Sequence, residues 1–217
     1  YTGSTSAVLE YFDLMKSFET TASGASKDRF HFTYDTEEWN AYSQSGVTAG
    51  YGAEWVLLSS SAPRKIVVAY TEPNSPATTG DANLERGAEI LTADGVDVVN
   101  GTDTATLNAA FWPASTGETH TFEVKDLGSE ETRTISMTSA SVTIDPVQNV
   151  KVLDTDSGKV GYLTFNNHIA TAESELISAI TTLSDSNVTD LVLDLRYNSG
   201  GYLAIASQLA YTVSYTH

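Results

Sequence analysis

Cysteine is absent from the 217 residues, so disulfide frameworks, thiol nucleophiles and thiolate metal sites are all excluded. The absence fits an exported bacterial protein. No run of about 18 apolar residues occurs, and no segment reads as a membrane span. Cations are scarce: 11 Lys and Arg stand against 28 Asp and Glu, a formal net charge of −17. Phosphate binding needs clustered Lys and Arg, so no nucleic acid and no anionic membrane surface is an expected partner. The excess of carboxylates supplies instead a solvated, acidic surface. Residue 1 is Tyr and no signal peptide is visible, so the chain reads as a mature or trimmed fragment. Metal-ligand spacing is missing too. His31 has no second ligand-type residue placed to share a metal with it. The turn Asp154-Thr155-Asp156-Ser157-Gly158 starts like a calcium loop, yet Phe165 stands where the closing bidentate Glu is required. No metal and no cofactor is expected.

What is present can build a core. With 41% hydrophobic residues the chain reads as globular, and its length suits one large domain or two smaller ones. Its most informative stretch is Thr189 to Tyr202. Leu191, Val192, Leu193 and Leu195 form a near-continuous apolar run, the pattern of a strand buried on both faces of a mixed or parallel sheet. Asn198-Ser199-Gly200-Gly201 is a turn cluster, and a helical pattern starts at about Leu203. A strand that empties into glycines before a helix leaves backbone N–H groups free to meet an anion or a developing oxyanion.

Upstream, Val8, Leu9, Phe12, Met15 and Phe18 fall at helical spacing over Ser6–Phe18. Thr20–Lys27 is a loop, residues 28–34 alternate polar and aromatic side chains, and Thr36 opens a second helix. From Gly46 the texture is of short strands: 53–58 after a glycine loop, Lys65–Tyr70, and Ala88–Ala93 with an Asp94-Gly95 hairpin turn. Glu72–Ala77 reads as a turn into a small helix, Thr104–Trp112 as a helix, and Thr119–Lys125 with Thr132–Thr138 as two closing strands. Ser139–Val152 reads as one linking strand. Lys159–Phe165, an amphipathic helix over Thr171–Leu183, and Asp190–Arg196 then make a βαβ unit, whose ligand site lies off the carboxyl ends of its strands.

Residues 48–142 resemble a PDZ domain of the circularly permuted kind found in bacterial proteases. The family's Pro-x-Ser-Pro-Ala stands here as Pro73–Ala77, and its following glycine-rich turn and strand as Asn83–Gly95, with Asn83 in place of a glycine and Ala88 in place of an aspartate. The resemblance makes Gly50-Tyr51-Gly52-Ala53 the carboxylate-binding loop. Glycines there let consecutive N–H groups converge on a peptide C-terminus, while a strand edge adds main-chain bonds. A plain structural hairpin is the alternative.

A second resemblance rests on Gly158-Lys159-Val160-Gly161-Tyr162-Leu163 and on Leu193-Asp194-Leu195-Arg196-Tyr197-Asn198-Ser199-Gly200-Gly201. Together these are similar to the front half of the catalytic core of the C-terminal processing, or tail-specific, serine proteases, peptidase family S41, and the two resemblances cover residues 28–213. The implied fold is mixed α/β: a short N-terminal helical segment (1–47), a PDZ-like small β-barrel with helices (48–142), and the first part of a ClpP/crotonase-like βαβ protease core (143–217). The implied activity is peptide-bond hydrolysis near the C-terminus of protein substrates by a Ser–Lys dyad, in an exported bacterial protein of the periplasm or cell envelope. Its partners would be protein or peptide C-termini. Gly200 or Gly201 would lend a backbone N–H to the oxyanion, with Asp194, Arg196 and Asn198 in structural support.

The dyad itself is missing. The family's Thr-Ala-Ser-x-Ser-Glu type stretch and later lysine do not occur before His217, and none of the six lysines has a serine three residues earlier. The chain is therefore expected to be the N-terminal part of such an enzyme and inactive alone. A core cut there should leave an exposed strand edge and an apolar face bearing Leu203, Ala206, Leu209 and Ala210, inviting a domain-swapped or edge-paired dimer. Two rivals remain: a non-catalytic peptide- or apolar-ligand-binding module of the same fold, and an acyl-CoA enzyme of the crotonase type. The PDZ-like segment and the lack of a basic CoA-binding cluster weigh against the second.

Overall fold

The computed structural model describes residues 5–28 and 31–214. The chain forms two units, Tyr1–Trp39 and Asn40–His217.

In the smaller unit, helix α1 spans Thr5–Leu14 and buries none of its residues. It is shorter than the apolar spacing through Phe18 implies. Beyond Leu14 the backbone tightens, Met15 N bonding Phe12 O and Lys16 N bonding Asp13 O, and the N–H of Ser17 is taken by the Asp28 carboxylate at 3.2 Å. His31 is also held by Asp28, Nδ1 to Oδ1 at 2.8 Å. The alternating stretch 28–34 forms no strand among its described residues, and Arg29 and Phe30 lie outside them. Helix α2, Thr36–Ser45, begins where Asp35 Oδ1 accepts from the N–H groups of Glu37 and Glu38 at 2.9 and 3.1 Å, a helix cap.

Among its described residues the larger unit holds three sheets. Strand β1 (Val47–Gly50) pairs antiparallel with β8 (Ala140–Thr143). A larger sheet runs β2 (Ala53–Ser59), β3 (Lys65–Thr71), β4 (Glu89–Ala93), β6 (Thr119–Lys125), β7 (Thr132–Thr138), with β5 (Val96–Asp97) on β4. Helix α3 (Thr104–Phe111), capped by Asp103, closes it over a core that includes Tyr51, Val68, Ile90, Phe111, Phe122 and Met137. Phe122 is fully buried, and each such aromatic contributes roughly 2–3 kcal/mol of burial. Residues 73–82 form consecutive turns rather than the expected small helix. Hydroxyls compete for the backbone there: Ser75 N donates to Thr78 Oγ1, while Thr78 and Thr79 Oγ1 donate to Ser75 O. Asn83, where the resemblance expects glycine, has φ of +32°, a value asparagine tolerates better than other non-glycine residues.

The third sheet has the order β11 (Asp190–Asp194), β10 (Gly158–Phe165), β9 (Val147–Thr155). The expected single linking strand is thus two, β8 and β9, broken at Asp145-Pro146. Strands β9 and β10 are antiparallel, and β10 and β11 parallel with helix α4 (Ala172–Asp185) between them. Leu163, Phe165, Leu176 and Leu183 form the centre of this core. The strand expected to be buried on both faces is an edge strand covered on one. Leu191 and Leu193 pack on the α4 cluster, whereas Val192 and Leu195 are 47% and 46% exposed. Helix α5 (Leu203–Ser214) divides the residues expected on its uncovered face. Leu209 is buried against α4 together with Ile205; Ala206 is half-buried, and Leu203 and Ala210 are exposed.

Candidate active-site turn and peptide loop

The glycine turn hangs on Asp194. Its carboxylate accepts from Arg196 Nε at 3.0 Å, from the second guanidinium nitrogen at 2.6 Å, from the Arg196 N–H at 3.1 Å and from the Tyr162 hydroxyl at 2.6 Å. The Arg196 guanidinium, and after it the Tyr162 hydroxyl, hold the Asp194 carboxyl far below the ordinary carboxylate range. Asp194 raises Arg196 in return. The chain then reverses, Asn198 N donating to Leu195 O at 3.0 Å.

From here the end of β10 clasps the turn. Asn198 Nδ2 donates to Phe165 O at 2.9 Å. His168 N donates to Gly200 O at 3.0 Å, and Tyr202 N donates to His168 O at 2.8 Å. Asn167 Oδ1 receives the Tyr42 hydroxyl at 3.1 Å and lies 3.5 Å from Ser199 Oγ. The two glycines differ. The Gly200 N–H is consumed by Asn198 Oδ1 at 2.9 Å, whereas no hydrogen bond among the described residues engages the N–H of Gly201. Gly201 has φ of +136°, and a Cβ there would lie 2.4 Å from His168 O. Only glycine fits so close an approach.

Tyr197, at the tip, faces the larger sheet. Its ring centroid lies 5.5 Å from that of Tyr70 on β3, and its hydroxyl receives Arg86 Nε at 2.8 Å. At and beyond the end of β10, and on α2, several polar atoms are buried without a partner: the side-chain amide of Asn166, His168 Nδ1, Thr171 Oγ1 and, on α2, Ser43 Oγ.

The loop Gly50-Tyr51-Gly52-Ala53 forms a separate cluster. The Tyr51 side chain is buried, its hydroxyl donates to Ala110 O at 3.0 Å, and its ring packs edge-on against Phe122 with centroids 5.8 Å apart. The carbonyls of Tyr51 and Gly52 accept from Ala77 N and Glu72 N at 2.9 and 2.7 Å. Their N–H groups have no bond among the described residues. Gly52 has φ of +74°, and a Cβ would meet that of Ser75 at 2.3 Å. The loop therefore leaves two amide hydrogens unengaged on a rigid seat, next to β2, which is an edge strand among the described residues. A groove of about 830 Å³ adjoins this loop, its lining including Ser75, against which Gly52 packs, and Ala140, the β8 partner of Gly50.

Asp194, Arg196, Asn198, Gly200 and Gly201 thus meet in one turn, and Gly50–Ala53 in another. Sequence reading missed Tyr162, Asn167 and His168. For Asn167 and His168 the one available signal was polar residues just past the carboxyl end of a parallel strand; Tyr162 lies in mid-strand and carried none. Among the described residues no group of three or more His, Asp or Glu side chains is placed to hold a metal.

Residues 159–214 match the family model described as Peptidase family S41. A carboxyl-terminal-processing protease of a Picosynechococcus strain is 33% identical over 139 residues, covering 64% of this chain and 32% of the relative. The chloroplastic carboxyl-terminal-processing peptidase 2 of Arabidopsis thaliana is 30% identical over 165 residues, 73% of this chain and 30% of the relative. The chain therefore spans about a third of the length of the curated relatives it matches. Among solved structures, the photosystem II D1 C-terminal processing protease is similar at a TM-score of 0.50 and 25% identity, over 77% of this chain and 44% of the other. An S41 protease of Bacteroides fragilis shares the fold at a TM-score of 0.51 and 23% identity, over 75% and 44%.

Proposed function

Since the chain is a relative of the carboxyl-terminal-processing proteases of peptidase family S41, we propose that it is part of a serine endopeptidase cutting near the C-terminus of protein substrates. The observation that carries this reading is the unengaged N–H of Gly201, beside a Gly200 N–H already taken by Asn198. In acyl transfer a serine oxygen attacks the scissile carbonyl, and the negative charge forming on the carbonyl oxygen needs a donor already in place. Gly201 supplies that donor. Asn198, His168 and the Asp194–Arg196 pair hold it still, and none of them touches the reacting atoms.

Residues 48–142 act as a PDZ-like peptide-binding domain. The unengaged N–H groups of Tyr51 and Gly52 receive the substrate's terminal carboxylate, and the β2 edge pairs with its backbone. Residues 143–217 supply the front of the catalytic core. The protein is exported, to a periplasm or cell envelope. The open edge of β11 leaves room for an edge-paired dimer, which light scattering would detect as a doubled mass.

Two measurements test this. A peptide with a free C-terminal carboxylate is expected to bind the chain at least about tenfold more tightly than its amidated twin, as loss of one charge-assisted contact implies. Equal affinities would remove the loop's proposed role. No serine-dependent peptide hydrolysis is expected from the 217 residues by themselves, because acyl transfer needs a nucleophile and a base and neither member of the dyad is found in them. Turnover lost on treatment with a serine-directed inhibitor would overturn that part. Carboxylate-dependent binding by a complete protein that never hydrolyses peptides would favour the non-catalytic module instead.

A further inference from the structure

Strand β7 is an edge strand among the described residues, and it carries none of the devices that keep such an edge from pairing. Its residues, Thr132–Thr138, include no proline and no glycine. They run beside β6 in unbroken register, from Thr138 opposite Thr119 to Thr132 opposite Lys125, so no bulge twists the edge away. Its one charge is engaged elsewhere. Arg133 donates to both oxygens of Asp126, at 2.7 and 3.1 Å, and to the carbonyls of Asp81 and Ala82 at 2.8 and 2.7 Å. Beyond the ladder with β6, no hydrogen bond among the described residues engages the backbone of residues 132–138. Along such a strand, alternate main-chain groups face away from the neighbour and call for partners.

The edge opens on the groove of about 830 Å³, which is lined by β7, by β8 and by the turns at 73–81. Arg133 fixes the last of these walls through Asp81 O. With a rise of about 3.3 Å per residue, about 4.8 Å between strands and ~10 Å between sheets, one extended residue fills roughly 160 Å³, and the groove has room for about five. That room suits a single extended segment and not the sheet of a second copy. The side chains on view are small and hydroxylic: Thr134, Ser136 and Thr138 are exposed on β7, and Ser141 and Thr143 on β8. Of the lining residues only Asp81 is charged. Glu131 stands exposed just ahead of β7, and the whole chain carries −17, so the complementary partner is cationic.

We infer that the β7 edge takes an internal, extended, cationic segment of a second polypeptide as an added strand. Main-chain bonds to β7 supply the affinity, the hydroxyls meet small polar side chains at alternate positions, and Asp81 with the acidic surface selects Lys and Arg. No free C-terminus takes part. The site is therefore independent of the peptidase reading and of the role proposed for the Gly50–Ala53 loop.

The probe is acetyl-Lys-Thr-Val-Ser-Val-Thr-Lys-amide, which has no terminal carboxylate, titrated into the isotope-labelled 217-residue chain. Binding with a Kd below about 1 mM is expected, with amide shifts centred on Thr134–Thr138. A twin with Glu for both Lys should bind at least about tenfold more weakly, and so should a twin methylated on its inner amide nitrogens. Ser136→Lys, on the exposed face, should weaken the cationic probe at least about fivefold while leaving Tm within ~2 °C of the parent. Absence of binding, shifts centred away from β7, or equal affinity for the methylated twin overturns the strand addition. Equal affinity for the Glu twin overturns the cationic partner. A folded Ser136→Lys that binds like the parent overturns the site, and if that variant fails to fold, the methylated twin on the parent decides alone. A doubled mass in light scattering that Ser136→Lys abolishes would seat a second copy on the edge, and would overturn the inference too.

Discussion

Gly201→Ala is expected to lower the Tm by about 10 °C, while Gly200→Ala lowers it by only ~3–5 °C. Both glycines have positive φ, +136° and +96°, so both substitutions carry backbone strain of about 1–2 kcal/mol. Only Gly201 adds a collision, its Cβ falling 2.4 Å from His168 O and 2.9 Å from the His168 carbonyl carbon and Cβ, whereas nothing lies within 4 Å at Gly200. Relieving that collision means parting His168 from the turn, which forfeits the bonds from His168 N to Gly200 O and from Tyr202 N to His168 O. The added cost is roughly 2 kcal/mol, and a chain of this length loses about 2–4 °C per kcal/mol. Calorimetry of the two variants side by side is the check. Equal losses would mean that contact with His168 does not set the turn.

The second large effect belongs to the core under the Gly50–Ala53 loop. Phe122 is fully buried and meets the rings of Tyr51, Trp55 and Phe111 at centroid distances of 5.8, 6.1 and 5.7 Å. Phe122→Ala is expected to cost about 3–5 kcal/mol through lost burial and a residual cavity, a fall in Tm of ~10 °C. It should also weaken the carboxylate-dependent peptide binding proposed for this loop in the chain that remains folded, because the Tyr51 ring loses the wall that fixes the loop. Thermal unfolding and a binding titration below the variant's Tm separate the two consequences. Unchanged affinity in a destabilised variant would show that the hydroxyl bond from Tyr51 to Ala110 O holds the loop unaided.

Local pattern carried much of this architecture. The apolar run at Leu191–Leu195 and the helix from Leu203 are each specified by neighbouring residues, and the structure contains both, while the reversal itself falls at Arg196-Tyr197, just ahead of the expected Asn198–Gly201. The pairing of Thr119–Lys125 with Thr132–Thr138 is similarly local. Where the pattern misled, a distant partner or a competing side chain intervened. Met15 and Phe18 extend the apolar spacing of α1, yet a carboxylate eleven residues on takes the N–H of Ser17. The turns at 73–82 replace a helix because hydroxyls satisfy the backbone first. Val192 and Leu195 look like core by composition alone, because hydropathy does not say how many layers a sheet acquires. The clasp and the contacts of Glu72 were out of reach for a further reason. Asn198 meets Phe165 across 33 residues, and Glu72 meets Asp145 and Gln148 across 73 and 76. Nothing in a residue's own neighbourhood encodes such meetings.

The clasp of β10 on the glycine turn also bears on the order of folding. The β9–β10 hairpin closes through a tight turn at Asp156-Ser157 and needs no distant partner. The Phe165–Asn198 and His168–Gly200 bonds require helix α4 to have crossed and β11 to have docked in parallel beside β10. Parallel pairing across a crossover incurs its loop entropy before any contact rewards it. The turn carrying the Gly201 N–H is accordingly among the last parts of the βαβ unit to assemble, so a newly made chain passes through states with a hydrophobic core but no oriented donor.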